Sequence, residues 1–214
     1  MRAGLCLAAL LISTAAFAQS SSPGPYIIDF RGAMSGLPTG VFYPASAPNT
    51  VVPTRGFGLG GGVHVYLLRL GPSRIGLGVD GARVRGTADT FAATSSSSSS
   101  ANASMSTAPV SKAVMDMTTV AGQISFNFGS HDGWSYLTVG YGKTRTRSQV
   151  SSEVLGPIEH SVAVLKRHTP TMNYGGGARW FVREHIGVGF DVRFHRLINP
   201  SKQIVGLSVG LSLR

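Results

Sequence analysis

The sequence is short of cysteine, of acidic side chains and of long apolar runs. It has one cysteine in 214 residues, and only 9 Asp and Glu against 19 Lys and Arg. Beyond the N-terminus, no stretch approaches the roughly 20 apolar residues that a membrane-spanning helix needs. These shortages exclude a disulfide-stapled exported domain and a helical membrane protein.

The one unbroken apolar run lies at the N-terminus and has the three parts of an export signal. Arg2 is the positive residue, residues 5–15 form the apolar core, and Ala-Phe-Ala at 16–18 is a small-x-small cleavage site. We therefore expect residues 1–18 to be a signal peptide. Cys6 lies at the start of the apolar core, whereas a lipoprotein cysteine lies at its end. Cys6 is therefore interpreted as part of the signal, and the mature chain is expected to have no cysteine.

The chain is strongly basic, with a formal net charge of +10 and a pI near 10.5. Such a charge often indicates nucleic-acid binding. The export signal argues against that partner, and so does the position of the cations, which lie mostly at strand ends and in connections. We predict instead that they meet anionic lipid head groups and lipopolysaccharide phosphates at a membrane surface.

The strongest pattern is an alternation of bulky apolar residues with small or polar ones, as in residues 186–195 (IGVGFDVRFH). Successive side chains of a strand point to opposite faces, so one face is apolar and the other is glycine and charge. The pattern recurs in stretches at 26–34, 56–68, 74–84, 118–128, 135–144, 171–182, 186–195 and 203–213. We predict an all-β fold, an eight-stranded antiparallel up-and-down transmembrane β-barrel with lipid outside and polar groups inside.

The connections between these stretches alternate in length. Short ones at 69–73, 129–134 and 183–185 alternate with longer ones at about 35–55, 85–117 and 145–170. Outer-membrane barrels have tight periplasmic turns and long extracellular loops. Residues 19–214 are thus predicted to be a single barrel domain. Its long loops are expected to be mobile, above all the serine tract at 95–100.

The inward positions carry many glycines and a balanced set of charges. An eight-stranded barrel is only just wide enough to be filled by side chains, so the glycines are interpreted as room for large residues rather than as the lining of a pore. Buried charge is tolerated when it is paired, and six inward charges are expected to form one layer: Asp29, Arg31, Asp80, Arg179, Asp191 and Arg193. A structural plug is the simplest interpretation of this layer, and a gated proton or ion path is the alternative.

Two basic runs face each other across the third long connection. At the predicted outer rim they are candidates for contact with lipopolysaccharide: Lys143, Arg145, Arg147, Lys166 and Arg167. The predicted partners are therefore outer-membrane lipid and lipopolysaccharide, with no nucleic acid and an unidentified surface ligand.

No catalytic residue, cofactor or metal site is predicted. A lipid A deacylase would need Ser and His close together on the lipid-facing rim, whereas His195 is predicted to point inward. A palmitoyl-transfer barrel would need an N-terminal amphipathic helix, which Pro23 and Pro25 interrupt. The six histidines are spread singly over strands, turns and loops.

Residues 173–180 (NYGGGARW), a three-residue turn and residues 186–189 (IGVG) carry a family resemblance. The chain resembles the OmpA/OmpX-like outer-membrane β-barrel superfamily over about residues 25–214. The resemblance implies a surface-exposed structural, adhesive or defence protein. It also implies insertion by the outer-membrane assembly machinery, which recognises a polar-x-Gly-x-x-apolar final strand, here Ser208, Gly210 and Leu213. The sequence given ends on Arg214 rather than on an aromatic residue, and we expect no peptidoglycan-binding domain after the barrel.

Three functions are compatible with these patterns. The leading hypothesis is a monomeric, non-enzymatic outer-membrane protein whose long extracellular loops serve adhesion, shielding or ligand contact. The second is a narrow channel for ions or small solutes. The third is a soluble periplasmic lipid-binding barrel, which requires the bulky faces to point inward.

Overall fold

The computed structural model describes residues 25–44, 50–90, 110–129, 132–153 and 160–214. The strands are β1 Tyr26–Gly36, β2 Arg55–Leu70, β3 Ser73–Thr90, β4 Val110–Gly129, β5 Gly133–Glu153, β6 His160–Phe181, β7 Ile186–Leu197 and β8 Lys202–Leu213. Each strand pairs antiparallel with the next, and β8 pairs with β1 to close the barrel. The predicted fold class is confirmed. The predicted signal peptide and the serine tract lie outside the described residues.

The two faces of the barrel wall are the ones that the alternation predicts. Large apolar side chains point outward and are exposed, among them Leu59 (75%) and Val209 (69%). Polar side chains such as His64 and Asn173 point inward and are buried. An outer surface this apolar calls for an apolar surrounding. The soluble carrier, which needs the bulky faces inside, is therefore wrong.

The two ends of the barrel differ in their connections. At one end, the short-turn end, brief links follow β2, β4 and β6, and Tyr26 and Leu213 lie there too. Gly71 turns the chain between β2 and β3 with a φ of 59°, a left-handed conformation that favours glycine. β1, β3, β5 and β7 all finish at the opposite end of the barrel, the long-loop end. Within the described residues no helix is long and apolar enough to cross a membrane.

The second and third long loops are shorter than predicted, because β3 to β6 continue into them. Residues 85–90 and 110–117 are paired strand, as are residues 145–153 and 160–170. In this part of β5 the inward residues are Thr144, Thr146 and Ser148, which are buried although polar. A search for bulky apolar residues at alternate positions misses a strand whose buried face is made of hydroxyls.

The first long loop, predicted to be mobile over residues 35–55, is packed in its described part. Leu37, Phe42 and Tyr43 are buried at the long-loop end. Gly86 of β3 allows this approach, since a Cβ there would lie 2.5 Å from Leu37 Cδ1 and 2.4 Å from the Arg55 carbonyl oxygen. The aromatic side chains of this loop thus find apolar partners on distant strands, and its mobility stays a prediction.

Candidate functional site in the lumen and at the rim

The lumen at the short-turn end is closed by aromatic side chains. Ile27, Tyr66 and Trp134 are buried together, with Phe181 packed against them. The Tyr66 and Trp134 rings meet edge to face at a centroid distance of 6.0 Å, and the Trp134 and Phe181 centroids are 4.9 Å apart. The guanidinium of Arg214 lies 4.0 Å from the Phe181 centroid. This cluster is an apolar floor beneath the charged part of the lumen.

Immediately above this floor, Arg179 of β6 and Asp29 of β1 form a two-pronged ion pair. Arg179 donates from Nε to Asp29 Oδ1 at 3.0 Å and from Nη2 to Oδ2 at 2.5 Å. Ser212 of β8 donates a further hydrogen bond to Asp29 Oδ1 at 2.6 Å. The Arg179 guanidinium also lies 3.8 Å from the Tyr136 ring centroid. Paired geometry of this kind is what makes buried charge tolerable.

The other four predicted charges form a second group that Tyr136 joins to the first. Arg193 contacts both carboxylates, Nε to Asp191 Oδ1 at 2.7 Å and Nη1 to Asp80 Oδ1 at 2.9 Å. Arg31 is hydrogen-bonded to Asp80 and lies 3.4 Å from Asp191. The Tyr136 hydroxyl donates to Asp191 Oδ2 at 2.7 Å.

All six charged residues predicted for the lumen therefore lie in one connected cluster, which we call the charge layer. Each is 2% to 8% exposed. Sequence reasoning missed two members of its hydrogen-bond network, Tyr136 and Ser212. Both lie at inward positions of their strands, and the sequence alternation does indicate that direction. Alternation does not show, however, which charged residue each hydroxyl group contacts.

Neutral polar side chains fill the lumen beside and above the charge layer. His64 Nε2 and Gln123 Oε1 are 3.2 Å apart, and Gln123 Nε2 donates to Asn173 Oδ1 at 3.3 Å. Nearer the long-loop end, Thr171 donates to Thr144 at 2.8 Å, and Thr144 and Thr119 are hydrogen-bonded at 3.0 Å. The barrel interior is thus packed with side chains, as its small diameter requires.

A small cavity of about 40 Å³ lies between the charge layer and the long-loop end. Its lining is charged on one side, with Arg31 and Arg193, and apolar on the other, with Val84 and Met117. A water molecule needs about 10–15 Å³ of such volume, so the cavity has room for a few waters.

The predicted rim cations divide between the two faces of the wall. Lys143, Arg145, Arg147 and Lys166 point outward and are exposed near the long-loop end. Arg167 does not belong with them, because its position in β6 points inward and its guanidinium lies 5.5 Å from the Phe42 ring centroid. The prediction that Arg167 contacts the membrane surface is therefore wrong. It assumed that Arg167 lies in a loop, whereas Arg167 lies in a strand, where the position decides which face its side chain points to.

Further outward cations on β3 and β4 join this rim and were missed by sequence reasoning: Arg83, Arg85 and Lys112. Arg85 is opposite Asp116 in the β3–β4 register, and Asp116 is opposite Arg147 in the β4–β5 register. The Arg83 and Asp116 side chains form an exposed ion pair at 3.5 Å. The outward cations and Asp116 make a mainly positive surface, which we call the basic rim.

No group of three or more His, Cys, Asp or Glu side chains that could hold a metal ion occurs in the described part of the chain. His64 and His195 are buried singly in the lumen. His131 and residues 154–159 of the third loop lie outside the described residues.

A closed eight-stranded barrel with a charged, packed interior and an apolar outer face is the architecture of an outer-membrane protein. The sequence matches the model of the outer membrane protein beta-barrel domain over residues 4–212, and the chain belongs to this family. It is therefore an outer-membrane protein. No curated protein matches the sequence.

Several solved structures are similar to this barrel. Ail, the attachment invasion locus protein of Yersinia pestis, is 10% identical with a TM-score of 0.48, over 88% of this chain and 95% of that one. Neisserial surface protein A is 13% identical with a TM-score of 0.47, over 89% and 97%. The outer membrane protease OmpT from Escherichia coli is 10% identical with a TM-score of 0.47, over 92% and 99%. At such identities and TM-scores, these similarities carry no argument about function.

Proposed function

We propose that this chain is a non-enzymatic outer-membrane protein that acts at the cell surface through a sheet projecting from one side of the barrel. The observation that carries this proposal is the unequal length of the strands. β3 to β6 continue to Thr90, Val110, Glu153 and His160, whereas β7 and β8 already end at Leu197 and Lys202. We call the continuation of β3 to β6 the projecting sheet, and we assign the long-loop end to the cell exterior.

One edge of the projecting sheet is available for pairing. The register of β6 with β7 begins at Thr171 and Leu197, and the Pro170 carbonyl oxygen accepts a hydrogen bond from the Ile198 N–H. Residues 160–169 therefore pair with β5 alone. Val162 and Val164 are exposed along this edge. Strand edges with open hydrogen-bonding groups are templates for an added strand. The edge supports an interaction role with an extended segment of a surface partner.

The base of the projecting sheet supports a second contact, with the membrane itself. The basic rim lies on the outer face of β3 to β6 at this level, just beyond Tyr141, whose ring is exposed on the outer face. Aromatic side chains collect at membrane interfaces, and cations next to them attract anionic head groups. The partner proposed for the rim is the phosphate-bearing part of lipopolysaccharide.

We further propose that the protein is a monomer, that residues 1–18 are its signal peptide, and that the outer-membrane assembly machinery inserts the barrel. Ser208, Gly210 and Leu213 all lie in β8, the closing strand. The channel alternative is not proposed, because the charge layer, the neutral polar side chains and the apolar floor fill the described lumen.

Neutralising two rim cations is expected to weaken lipopolysaccharide binding about thirtyfold, since each cation near an anionic surface contributes about 1 kcal/mol and about 1.4 kcal/mol corresponds to a factor of ten. The variant is Arg145→Gln with Arg147→Gln. The measurement is lipopolysaccharide retained by the purified protein at low and high salt. The wild-type protein should retain less lipopolysaccharide at high salt than at low salt, because salt screens exposed charge interactions. This decrease in retained lipopolysaccharide should be smaller in the variant.

The matched control removes two exposed arginines at the other end of the barrel, by Arg69→Gln with Arg183→Gln. This control should retain lipopolysaccharide like the wild type. Equal loss in both variants would mean that net charge alone governs retention, and equal retention in both would remove the rim from the proposal.

A further inference from the structure

The barrel has an apolar interior at the end where its lumen meets the exterior. Inward side chains of five strands are buried together there: Val84, Ala113, Met115, Met117, Val150, Leu197 and Ile204. We call this lining the apolar cup. A cup of this kind left open to water would be unfavourable, so it needs an apolar occupant.

The occupant in this structure is residues 37–43 of the first loop, which we call the plug segment. Phe42 is 2% exposed and packs in the cup with Leu37 and Tyr43. Ser148 of β5 donates a hydrogen bond from Oγ to the Phe42 carbonyl oxygen at 2.6 Å. The turn itself is local, with the Tyr43 N–H donating to the Gly40 carbonyl oxygen at 2.9 Å and Gly40 at a φ of 70°.

Two observations distinguish this packing from a finished core. The Tyr43 hydroxyl is buried and has no hydrogen-bond partner among the described residues, and its burial in apolar surroundings raises the pKa of the phenol. An unpaired buried hydroxyl is unfavourable. The plug segment therefore occupies the cup with an unsatisfied polar group, which favours exchange.

The second observation is the cavity of about 40 Å³ that adjoins the cup and shares Val84 and Met117 with it. The opposite side of this cavity includes Arg193 and His195. Arg193 Nη2 and His195 Nδ1 are buried without a hydrogen-bond partner in the described part of the chain. The carboxylates of Asp80 and Asp191 also line the cavity, so the charge there is balanced. This balance disfavours an added ion and favours a neutral group that accepts a hydrogen bond.

We propose that the apolar cup is a binding site for an uncharged small molecule of aromatic-ring size that carries one hydrogen-bond acceptor. Its apolar part takes the place of the Phe42 side chain, and its acceptor enters the cavity and receives a hydrogen bond from Arg193. The plug segment is then a lid that competes with the ligand for the cup. The two methionines of the cup suit this role, since flexible thioether side chains adapt to differently shaped occupants. The site is separate from the projecting sheet and does not depend on the function proposed for that sheet.

The methionines also provide the measurement. Met115 and Met117 lie in the cup, whereas Met172 is 43% exposed on the outer face. In a spectrum of methyl-labelled methionine in a lipid nanodisc, the Met115 and Met117 signals thus report on the cup and the Met172 signal reports on the lipid. The probe is acetophenone, which has an aromatic ring and a carbonyl acceptor, and the comparison probe is ethylbenzene, which lacks the acceptor.

In the wild-type protein, acetophenone is expected to shift the Met115 and Met117 methyl signals with saturation, while the Met172 signal drifts linearly as the probe enters the lipid. Ethylbenzene should bind the cup more weakly. Phe42→Ala removes the competing ring and should tighten acetophenone binding about tenfold, because a larger fraction of the protein is then competent to bind.

Linear drift of the Met115 and Met117 signals in the wild-type protein, like that of Met172, would overturn the proposal. Saturation seen only in Phe42→Ala would overturn it too, because the cavity would then be created by the substitution and the plug segment would not be displaced. If Phe42→Ala fails to form a barrel, the wild-type titration with the two probes decides alone.

Discussion

Replacing Asp29 by alanine is expected to lower the free energy of unfolding by about 3–5 kcal/mol, the effect of removing one partner of a buried ion pair. Asp29 accepts hydrogen bonds from both prongs of Arg179 and from Ser212. Without it, the Arg179 guanidinium stays buried in the lumen with no carboxylate in contact. The measurement is urea unfolding of the protein in lipid, followed by its tryptophan fluorescence.

A matched substitution separates burial from the loss of charge. Asp116 pairs with Arg83 at 3.5 Å, but the Arg83 side chain is 71% exposed. Asp116→Ala is therefore expected to change stability by less than about 1 kcal/mol, as for most surface ion pairs. Removing both partners of the buried pair, by Asp29→Leu with Arg179→Met, should recover much of the loss. Similar small effects of Asp29→Ala and Asp116→Ala would contradict the structural role of the charge layer.

Placing an arginine in the middle of the outer face, by Ile124→Arg, is expected to destabilise the barrel by about 2–4 kcal/mol in lipid. Ile124 is exposed and pairs with Leu77 and Val139, themselves exposed apolar residues. It therefore lies well inside the apolar band, where a charge meets hydrocarbon. The measurement is again urea unfolding in lipid.

The control places the same side chain at the edge of the band. Gln203 lies at the start of β8, at the long-loop end, and is exposed. Gln203→Arg is expected to cost about 0–1 kcal/mol, because penalties on the lipid face fall towards the interfaces. Equal costs at both positions would show that the outer face does not contact hydrocarbon.

The barrel and its faces were predictable because the physical rule behind them is local. In residues 186–195 of β7 the inward residues alternate with bulky apolar ones, so the inward direction of Asp191 and Arg193 follows from the strand period alone. Their burial followed too, because the interior of a barrel of this size is filled mostly by side chains. Which carboxylate each arginine contacts depends on register between strands, and alternation carries no such information.

The projecting sheet and the plug segment were missed for different reasons. Thr144 and Thr146 are buried, and Thr144 is hydrogen-bonded to the hydroxyls of Thr119 and Thr171 on the neighbouring strands. The inward face of this part of the strand is therefore polar, and it has no apolar period to detect. Phe42 is buried by residues as distant in sequence as Ile204. A local sequence pattern cannot predict contacts between residues so far apart in the sequence. The two neighbouring aromatic residues in the first loop were the one indication that this loop is packed.

Electrophoresis of the refolded chain, unheated and boiled, tests the central claim most directly. The chain without residues 1–18 is refolded into detergent, and its secondary structure is checked by circular dichroism. A closed barrel satisfies its backbone hydrogen bonds internally, so the unheated protein should stay folded on the gel and migrate differently from the boiled one, with β-rich dichroism. Identical migration of both samples, with solubility in plain buffer, would contradict a membrane barrel with its bulky face towards lipid.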